Sequence, residues 1–396
     1  NSMINKNITK LSVSIAMLMA GGIAQAASWT AGEWELGLGG NINAHFISTS
    51  CSAGDLKSGT GTLAATACAG AVDENGAPTN AQTIQNGTLP ASLNFSAKTT
   101  QDGWNIGANI NVYYGLNSNA AAGSADSVVP NSTIDPRQIF FTAGKEGGGE
   151  FKAGRDFGLF GLDAVLNDIS LVGVGAGFSA GEPAATTLGG LGYGYVYTDR
   201  MSQINYTTAD MGGVKLTGGL FSGFDGNGAT SSGEIGIHAK VSYTQGSVSV
   251  SSSFLTQAVA AGGTSQDITG FDVFAKVNLG DIDLAGYLFN AEGMSSLAIG
   301  GLLSPGFGAT GTPEEVSGYM LQASMKTSKE LKLGINLSHS EQDKVTIVEN
   351  DRMTLGAYYS LTKSLTVLGE FNALESKTPT GSDEVTSINV GAFLGF

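Results

Sequence analysis

The sequence predicts an all-β fold, a transmembrane antiparallel β-barrel of about sixteen strands. Three observations predict it. Apolar and polar residues alternate along many short segments, short turns alternate with long polar connections, and the last residues form one more alternating segment. Even numbers of strands joined by short turns on one rim and longer loops on the other are typical of membrane-spanning barrels.

The alternation is clear from residue 33 onward. In EWELGLGGNINAHFI, Trp34, Leu36 and Leu38 share one face, and Glu33 and Glu35 share the other, because successive side chains of a strand point to opposite faces. Strands are predicted near 33–47, 89–99, 104–115, 137–145, 150–155, 199–208, 214–224, 235–244, 248–257, 268–279, 282–291, 316–326, 331–340, 351–361, 365–374 and 384–396. Each predicted strand has an apolar and a polar side.

The connections between these segments differ in length. Short turns are predicted at 101–103, 244–247, 279–281 and 362–364, and long loops near 48–88, 116–136, 292–315 and 375–383. A soluble β-sandwich also alternates, but no linker or shift in composition divides this chain. A closed barrel leaves no open strand edge, which matters in lipid because no water is there to satisfy the backbone.

The composition also favours a membrane barrel. The chain has 59 glycines and only 8 prolines, and charged residues make up 13%, against roughly 25% in ordinary soluble domains. A chain with one lipid-facing side needs few charges. The net charge of −15, with no basic stripe, argues against nucleic acid as a partner.

The first residues predict export. Lys6 and Lys10 precede an apolar stretch at 11–23, and Ala24-Gln25-Ala26 is a cleavage site, so residues 1–26 form a signal peptide. Asn1 and Ser2 precede Met3 as an appended remnant. Residues 27–396 are then the barrel, and their net charge is −17, because the peptide removes two lysines and no acids.

Two cysteines, Cys51 and Cys68, lie close together in the sequence. In an exported chain we interpret them as one disulfide in an outer loop. Closing a loop of this size contributes about 3 kcal/mol by chain entropy. No histidine lies near them, so we expect no metal site.

The order of several motifs carries a family resemblance. A hairpin formed by 137–145 and 150–155 ends in Gly154-Arg155, a segment of some forty residues follows, and the next strand begins near Arg200. With the signal peptide and the terminal Phe396, this layout resembles the trimeric general porins of Gram-negative outer membranes. The resemblance covers essentially the whole chain and rests on the order of the motifs.

The resemblance implies a passive diffusion channel for small hydrophilic solutes and ions across the outer membrane. Its third outer loop, about 156–198 here, would fold into the barrel and narrow it. The protein would be a homotrimer, packed through early strands that carry Trp34, Phe46, Phe95 and Trp104. Outer-membrane lipid and lipopolysaccharide would surround it, and no cofactor or enzymatic activity is expected.

The predicted loop has one short helix. Leu162, Leu166 and Ile169 recur at i, i+4 and i+7, while Asp163 and Asn167 fall on another face. Such spacing suits a helix with an apolar side against the wall and a polar side toward water.

Charges on the wall and the loop are expected to set selectivity. By resemblance, the basic wall residues are first Arg155 and Arg200, then Arg137 and Arg352, and the acidic loop residues are first Asp163, then Asp156, Asp168 and Glu182. With Asp163 facing Arg155 and Arg200 below an acidic mouth, we expect a weak preference for cations.

Two other functions are alternatives to a channel. One is a non-conducting outer-membrane barrel that acts as a receptor or adhesin through its long loops. The other is a barrel-embedded hydrolase, which the scattered positions of His45, His238 and His339 do not favour. The apolar, helix-bearing loop after Arg155 favours the channel.

Overall fold

The computed structural model describes residues 27–51, 62–68, 74, 79–115, 134–177, 186–197, 200–223, 229–295, 311–344 and 346–396. The predicted signal peptide and Glu182 lie outside these residues. In the part of the chain that the structure describes, no helix has the length and apolar character needed to cross a membrane.

One antiparallel sheet contains every strand of the described chain. In chain order the strands are β1 (Ala27–Ala31), β2 (Trp34–Ser50), β3 (Ala81–Gln85), β4 (Ala91–Gln101), β5 (Trp104–Tyr114), β6 (Ile134–Lys145), β7 (Gly149–Phe157), β8 (Arg200–Thr207), β9 (Val214–Ser222), β10 (Ala229–Ser231), β11 (Ile235–Gln245), β12 (Val248–Ala261), β13 (Thr264–Leu279), β14 (Ile282–Glu292), β15 (Glu315–Lys326), β16 (Leu331–Asp343), β17 (Val348–Ser360), β18 (Leu365–Thr378) and β19 (Gly381–Gly395). Strands β1, β3 and β10 are short additions, and the other sixteen are those that the sequence predicts.

The sheet closes between its last and first long strands. β19 pairs with β2 from Thr386↔Ser50 to Gly395↔Asn41, and the Phe396 amide donates to the Gly40 carbonyl at 3.0 Å. Each long strand therefore has a neighbour on both sides. The predicted sixteen-stranded antiparallel barrel is confirmed.

The two faces of the wall differ as the alternation predicts. On β16 to β19 the outward residues Leu337, Leu355, Phe371 and Ile388 are exposed, whereas the intervening inward residues such as Asn336, Thr354 and Asn372 are buried. An apolar outer band and a polar interior are what a barrel in lipid requires.

The predicted short turns are present, the predicted loops 116–136 and 292–315 lie mostly outside the described residues, and the prediction for 375–383 is wrong. Residues 375–383 are not a long loop, because β18 runs to Thr378 and β19 begins at Gly381. The alternation continues through these residues, although their polar composition predicts a loop. We call the rim that carries the turns at 102–103, 146–148, 246–247, 280–281 and 361–364 the short-turn rim, and the opposite one the loop rim.

Lipid exposure gives the first prediction. Leu355, 44% exposed, lies within β17, and Leu361, 53% exposed, lies just beyond its end at the short-turn rim. Leu355→Lys should lower the free energy of unfolding by about 2–4 kcal/mol, because a lysine near the bilayer midplane is poorly solvated, while Leu361→Lys should cost about 0–1 kcal/mol. Denaturant titration in lipid vesicles measures both. Equal costs would contradict the assigned depth of these residues.

Candidate functional site

The segment that joins β7 to β8, residues 158–197, has two short helices in its described parts. Helix α2 (Leu162–Asn167) ends at Asp168, and a 3₁₀ helix (Ile169–Val172) follows. The single predicted helix is interrupted there because Asp168 adopts an extended ψ of 129° and its carboxylate accepts from the Ser170 amide, as N-cap residues do. Leu162 and Ile169 are buried as expected.

The beginning of the segment is bound to the inner face of β13. The Gly161 amide donates to Asp272 Oδ2 at 2.7 Å. The same carboxylate accepts from the Ser253 amide at 2.8 Å and from the Tyr287 hydroxyl at 3.2 Å. A buried carboxylate needs such donors, so Asp272 both satisfies its own charge and fixes the entry of the segment.

The middle of the segment is bound to β17 by a buried ion pair. Arg352 Nη2 lies 2.9 Å from Asp168 Oδ2, and both side chains have no exposed surface. Arg352 also donates to Asn336 Oδ1 at 2.9 Å and to Ser170 Oγ at 3.1 Å. Breaking such a pair is costly because it leaves one buried charge unpaired.

A tyrosine completes this contact from the far end of the segment. The Tyr195 hydroxyl donates to Asp168 Oδ2 at 2.9 Å. Burial, and then the neighbouring Asp168 charge, raise the pKa of Tyr195 well above its ordinary value. The phenol therefore stays protonated and remains a donor, and Asp168 joins the outgoing and returning parts of the segment.

A third contact binds the segment to β18. Glu370 Oε2 accepts from the Val174 and Gly175 amides, each at 2.9 Å, and Glu370 Oε1 accepts from the Tyr358 hydroxyl at 2.7 Å. A Cβ at Gly173 would overlap the Glu370 carboxylate. Glycine is therefore required where the backbone crosses this acid.

The polar side of α2 faces two inward lysines. Asp163 forms an ion pair with Lys240 of β11 at 2.6 Å, with side chains 24% and 15% exposed, and it accepts from the Ser251 hydroxyl. Lys276 of β13 donates to Asn167 Oδ1 at 3.3 Å. These contacts differ from the Arg352–Asp168 pair because they retain access to solvent.

The structure contradicts the assignment of Arg155 as an inner wall residue. Arg155 pairs with Ile139 and Ser202, and it is exposed on the same outward face as Phe151. The reason is that the alternation with a period of two continues through Arg155, which lies within β7. Gly154 permits this path with a φ of 131° and a close approach to Ile139.

Asp156 is also misplaced by the sequence, because β7 extends to Phe157 and Asp156 is a buried wall residue, not a loop residue. It pairs with Lys152 at 2.5 Å and accepts from Gln138 at 2.8 Å. The segment between β7 and β8 therefore begins at residue 158, two residues later than the predicted start of the loop.

The remaining arginines lie near the same part of the wall. A register shift opposite Asn111 and Val112 leaves Arg137 at a bulge, which re-aims a side chain, and its guanidinium carbon lies 4.7 Å from the centre of the Tyr113 ring. Arg200 begins β8 opposite Phe157 and is half-buried. Its role at the wall stays a prediction.

The first outer loop contributes a second insert. Cys51 and Cys68 are joined by a disulfide, with Cα atoms 5.7 Å apart, and helix α1 (Leu63–Thr66) precedes Cys68. The hydroxyl of Thr62 donates to Asp383 at 2.6 Å, and the Ala64 amide donates to Ser376 at 3.1 Å.

The apolar contacts of this insert place it on the inner wall. Leu63 and the disulfide cluster with Leu374 and Val385, which are inward residues of β18 and β19, and with Tyr193 of the 158–197 segment. Two inserts therefore lie against the interior of the barrel.

Sequence reasoning missed four inner residues that hold or face the segment: Lys240, Asp272, Lys276 and Glu370. The inward direction of two of them could have been predicted from the alternation. Asp272 follows the outward Phe271 by one position, and Glu370 precedes the outward Phe371 by one position. The sequence does not indicate which strands the 158–197 segment contacts on the other side of the barrel.

The buried pair gives the second prediction. Arg352→Met should lower the free energy of unfolding by about 3–5 kcal/mol, because it leaves Asp168 buried without its cation. The matched control is Lys377→Met, which removes an exposed pair with Glu375 at 3.0 Å and should cost about 0–1 kcal/mol. Adding Asp168→Asn to Arg352→Met should recover part of the loss. Similar costs for the two lone substitutions would contradict the anchoring role.

Solved structures with the same fold are distant in sequence. The anion-selective porin from Comamonas acidovorans is 17% identical with a TM-score of 0.66, over 92% of this chain and 100% of that one. The outer membrane channel DcaP of Acinetobacter baumannii is 14% identical with a TM-score of 0.68, over 94% and 100%. OmpF of Salmonella typhi, solved with daunomycin, is 13% identical with a TM-score of 0.60, over 93% and 100%. These likenesses agree on the barrel fold.

No curated protein sequence matches the chain. A sequence model of a family, described as Gram-negative porin, matches residues 12–379, which is nearly the whole chain. The match agrees with the closed barrel, its apolar outer band and its polar interior. The protein thus belongs to the Gram-negative porin family and is a passive diffusion channel of the outer membrane.

Proposed function

We propose that residues 158–197 form the constriction of this channel and that Asp163 and Lys240 are the charges that permeating solutes meet there. The observation that carries this proposal is the set of contacts from the segment to inward residues of β11, β13, β17 and β18. A segment held on several strands reduces the open cross-section and keeps its charges at fixed positions.

The two ion pairs of the segment have different roles in this proposal. Arg352 and Asp168 have no exposed side-chain surface, so they anchor the segment and do not face solutes. Asp163 and Lys240 are partly exposed, so their charges act on ions in the water. Opposite charges placed close together select solutes by charge and size, and this pair replaces the expected opposition of Asp163 to Arg155.

We also propose a homotrimer. Phe46, Phe95 and Trp104 of the early strands are exposed on the outward face, and Arg155 is exposed on that face as well. A charge facing lipid near the midplane costs about 2–4 kcal/mol, so a subunit contact that covers Arg155 would stabilise the protein. One solved neighbour, OmpT of Vibrio cholerae, is described as a trimer form, with 14% identity.

The trimer is tested by size. Detergent-extracted protein, kept unheated, should have about three times the mass of the chain, because the outward faces of the early strands are paired. Arg155→Glu should lower the trimer fraction, while Arg137→Glu should not, since Arg137 contacts the inward Tyr113. Light scattering measures the mass, and a monomer for the unmodified protein would overturn the proposal.

The channel itself is tested by single-channel conductance in a planar bilayer. The purified protein is expected to give discrete steps in current under an applied voltage. A barrel that inserts and conducts nothing would favour the receptor or adhesin function instead.

The outward apolar band is the surface for outer-membrane lipid, and we include lipopolysaccharide among its proposed contacts.

Charge substitutions at the constriction give a further prediction. Asp163→Asn should shift the reversal potential in a KCl gradient toward anions, and Lys240→Gln should shift it toward cations, each by a few-fold in permeability ratio, because one charge near the path is removed. Arg155→Gln should leave the reversal potential unchanged, since its side chain faces outward. A shift with Arg155→Gln equal to that with Lys240→Gln would contradict the assignment.

A further inference from the structure

Three inward lysines lie near the short-turn rim on β13, β15 and β16, and β14 separates the first of these strands from the second. Lys276 lies three residues before the end of β13, Lys326 is the last residue of β15, and Lys332 is the second residue of β16. Outward neighbours such as Met325 and Leu333 are exposed to the lipid side, so the alternation places these lysines on the inner face. We call them the lysine cluster.

Two members of the cluster face each other directly. Lys326 and Lys332 are register partners across β15 and β16. Like charges in directly opposed positions destabilise a sheet, so this arrangement needs a compensating interaction.

The described residues supply little compensation. Among the described residues, no carboxylate lies within 4.0 Å of the ammonium group of Lys276, Lys326 or Lys332. The lysines that form ion pairs there are Lys98, Lys152, Lys240, Lys344 and Lys377. Lys332 lies over the Tyr358 ring at 5.1 Å. Asp283 of β14 accepts from Asn278 at 2.6 Å, and its single negative charge opposes the charges of Lys276 and Lys326 at Lys332.

The cluster is connected to the proposed constriction. Lys276 donates to Asn167 at 3.3 Å, one helical turn from Asp163, which pairs with Lys240. An ion that passes the polar side of α2 toward the short-turn rim therefore meets Lys240 first and the cluster next.

The acids of the loop rim lie too far away to neutralise the cluster. Along β16, nine residues separate Lys332 from Glu341, which is about 30 Å at 3.3 Å per residue. Exposed charges are screened beyond a Debye length of about 8–10 Å. The net negative charge of the chain therefore does not decide the potential at this height of the pore.

We propose that Lys276, Lys326 and Lys332 form a weak binding site for small oxyanions, such as phosphate or dicarboxylates, on the short-turn side of the constriction. The site biases the channel toward anions, the reverse of the weak cation preference that the sequence suggested. Lysine ammonium groups bind such anions as flexible point charges. The inference rests on the proposed conduction through this pore.

Reversal potentials in a KCl gradient at low salt test the bias. The unmodified protein should prefer chloride. In the double variant Lys326→Gln/Lys332→Gln, the permeability ratio of chloride to potassium should fall by about threefold for each lysine removed. This is the effect that Coulomb's law gives for one charge at roughly 7 Å from the ion in water. Lys363→Gln is the matched control, because it removes the same charge from an exposed turn of the same rim. If the double variant does not insert, Lys276→Gln alone is measured.

A binding measurement keeps this site separate from conduction. Inorganic phosphate, and in a second arm succinate, should slow acetylation of Lys326 and Lys332 in the folded protein, as followed by mass spectrometry, and leave Lys363 unaffected. Equal protection of Lys363, or a cation preference in the conducting unmodified protein, would overturn the proposal. A protein that shows selective protection but no conductance would keep the anion site and overturn the channel role.

Discussion

Closure of the sheet is the constraint on which the rest of the structure depends. A strand in lipid has no water to satisfy its backbone groups, so both of its edges must be paired. The pairing of β19 with β2 meets that requirement. Once the sheet is closed, every second side chain faces an enclosed interior, and polar residues there can be held in place by each other and by inserted segments.

The interior is ordered by carboxylates that serve as acceptors for backbone amides and hydroxyls. Asp272 and Glu370 hold the entry and the middle of the 158–197 segment without a cation among their described hydrogen-bond partners, while Asp168 uses Arg352. Buried charges with several donors fix geometry more than they add stability. That rigidity keeps the exposed Asp163–Lys240 pair at a constant place relative to the pore.

Height along the barrel separates the charges by role. The fully buried pair anchors the segment, the partly exposed pair lies at the proposed constriction, and the lysine cluster lies nearer the short-turn rim. Since salt screens exposed charges over about 8–10 Å, ions respond to local groups and not to the net charge of the protein. An acidic chain can therefore contain an anion-favouring stretch of pore.

The sequence by itself determined the strand number, the two faces of each strand and the family, because alternation with period two is a local property. It also indicated the short helix that begins at Leu162. Only the tertiary structure decided that Arg155 faces outward, that Asp163 meets Lys240 and that Arg352 meets Asp168. These pairs join residues separated by many strands, and the path of one segment across a closed barrel depends on contacts that no local pattern encodes.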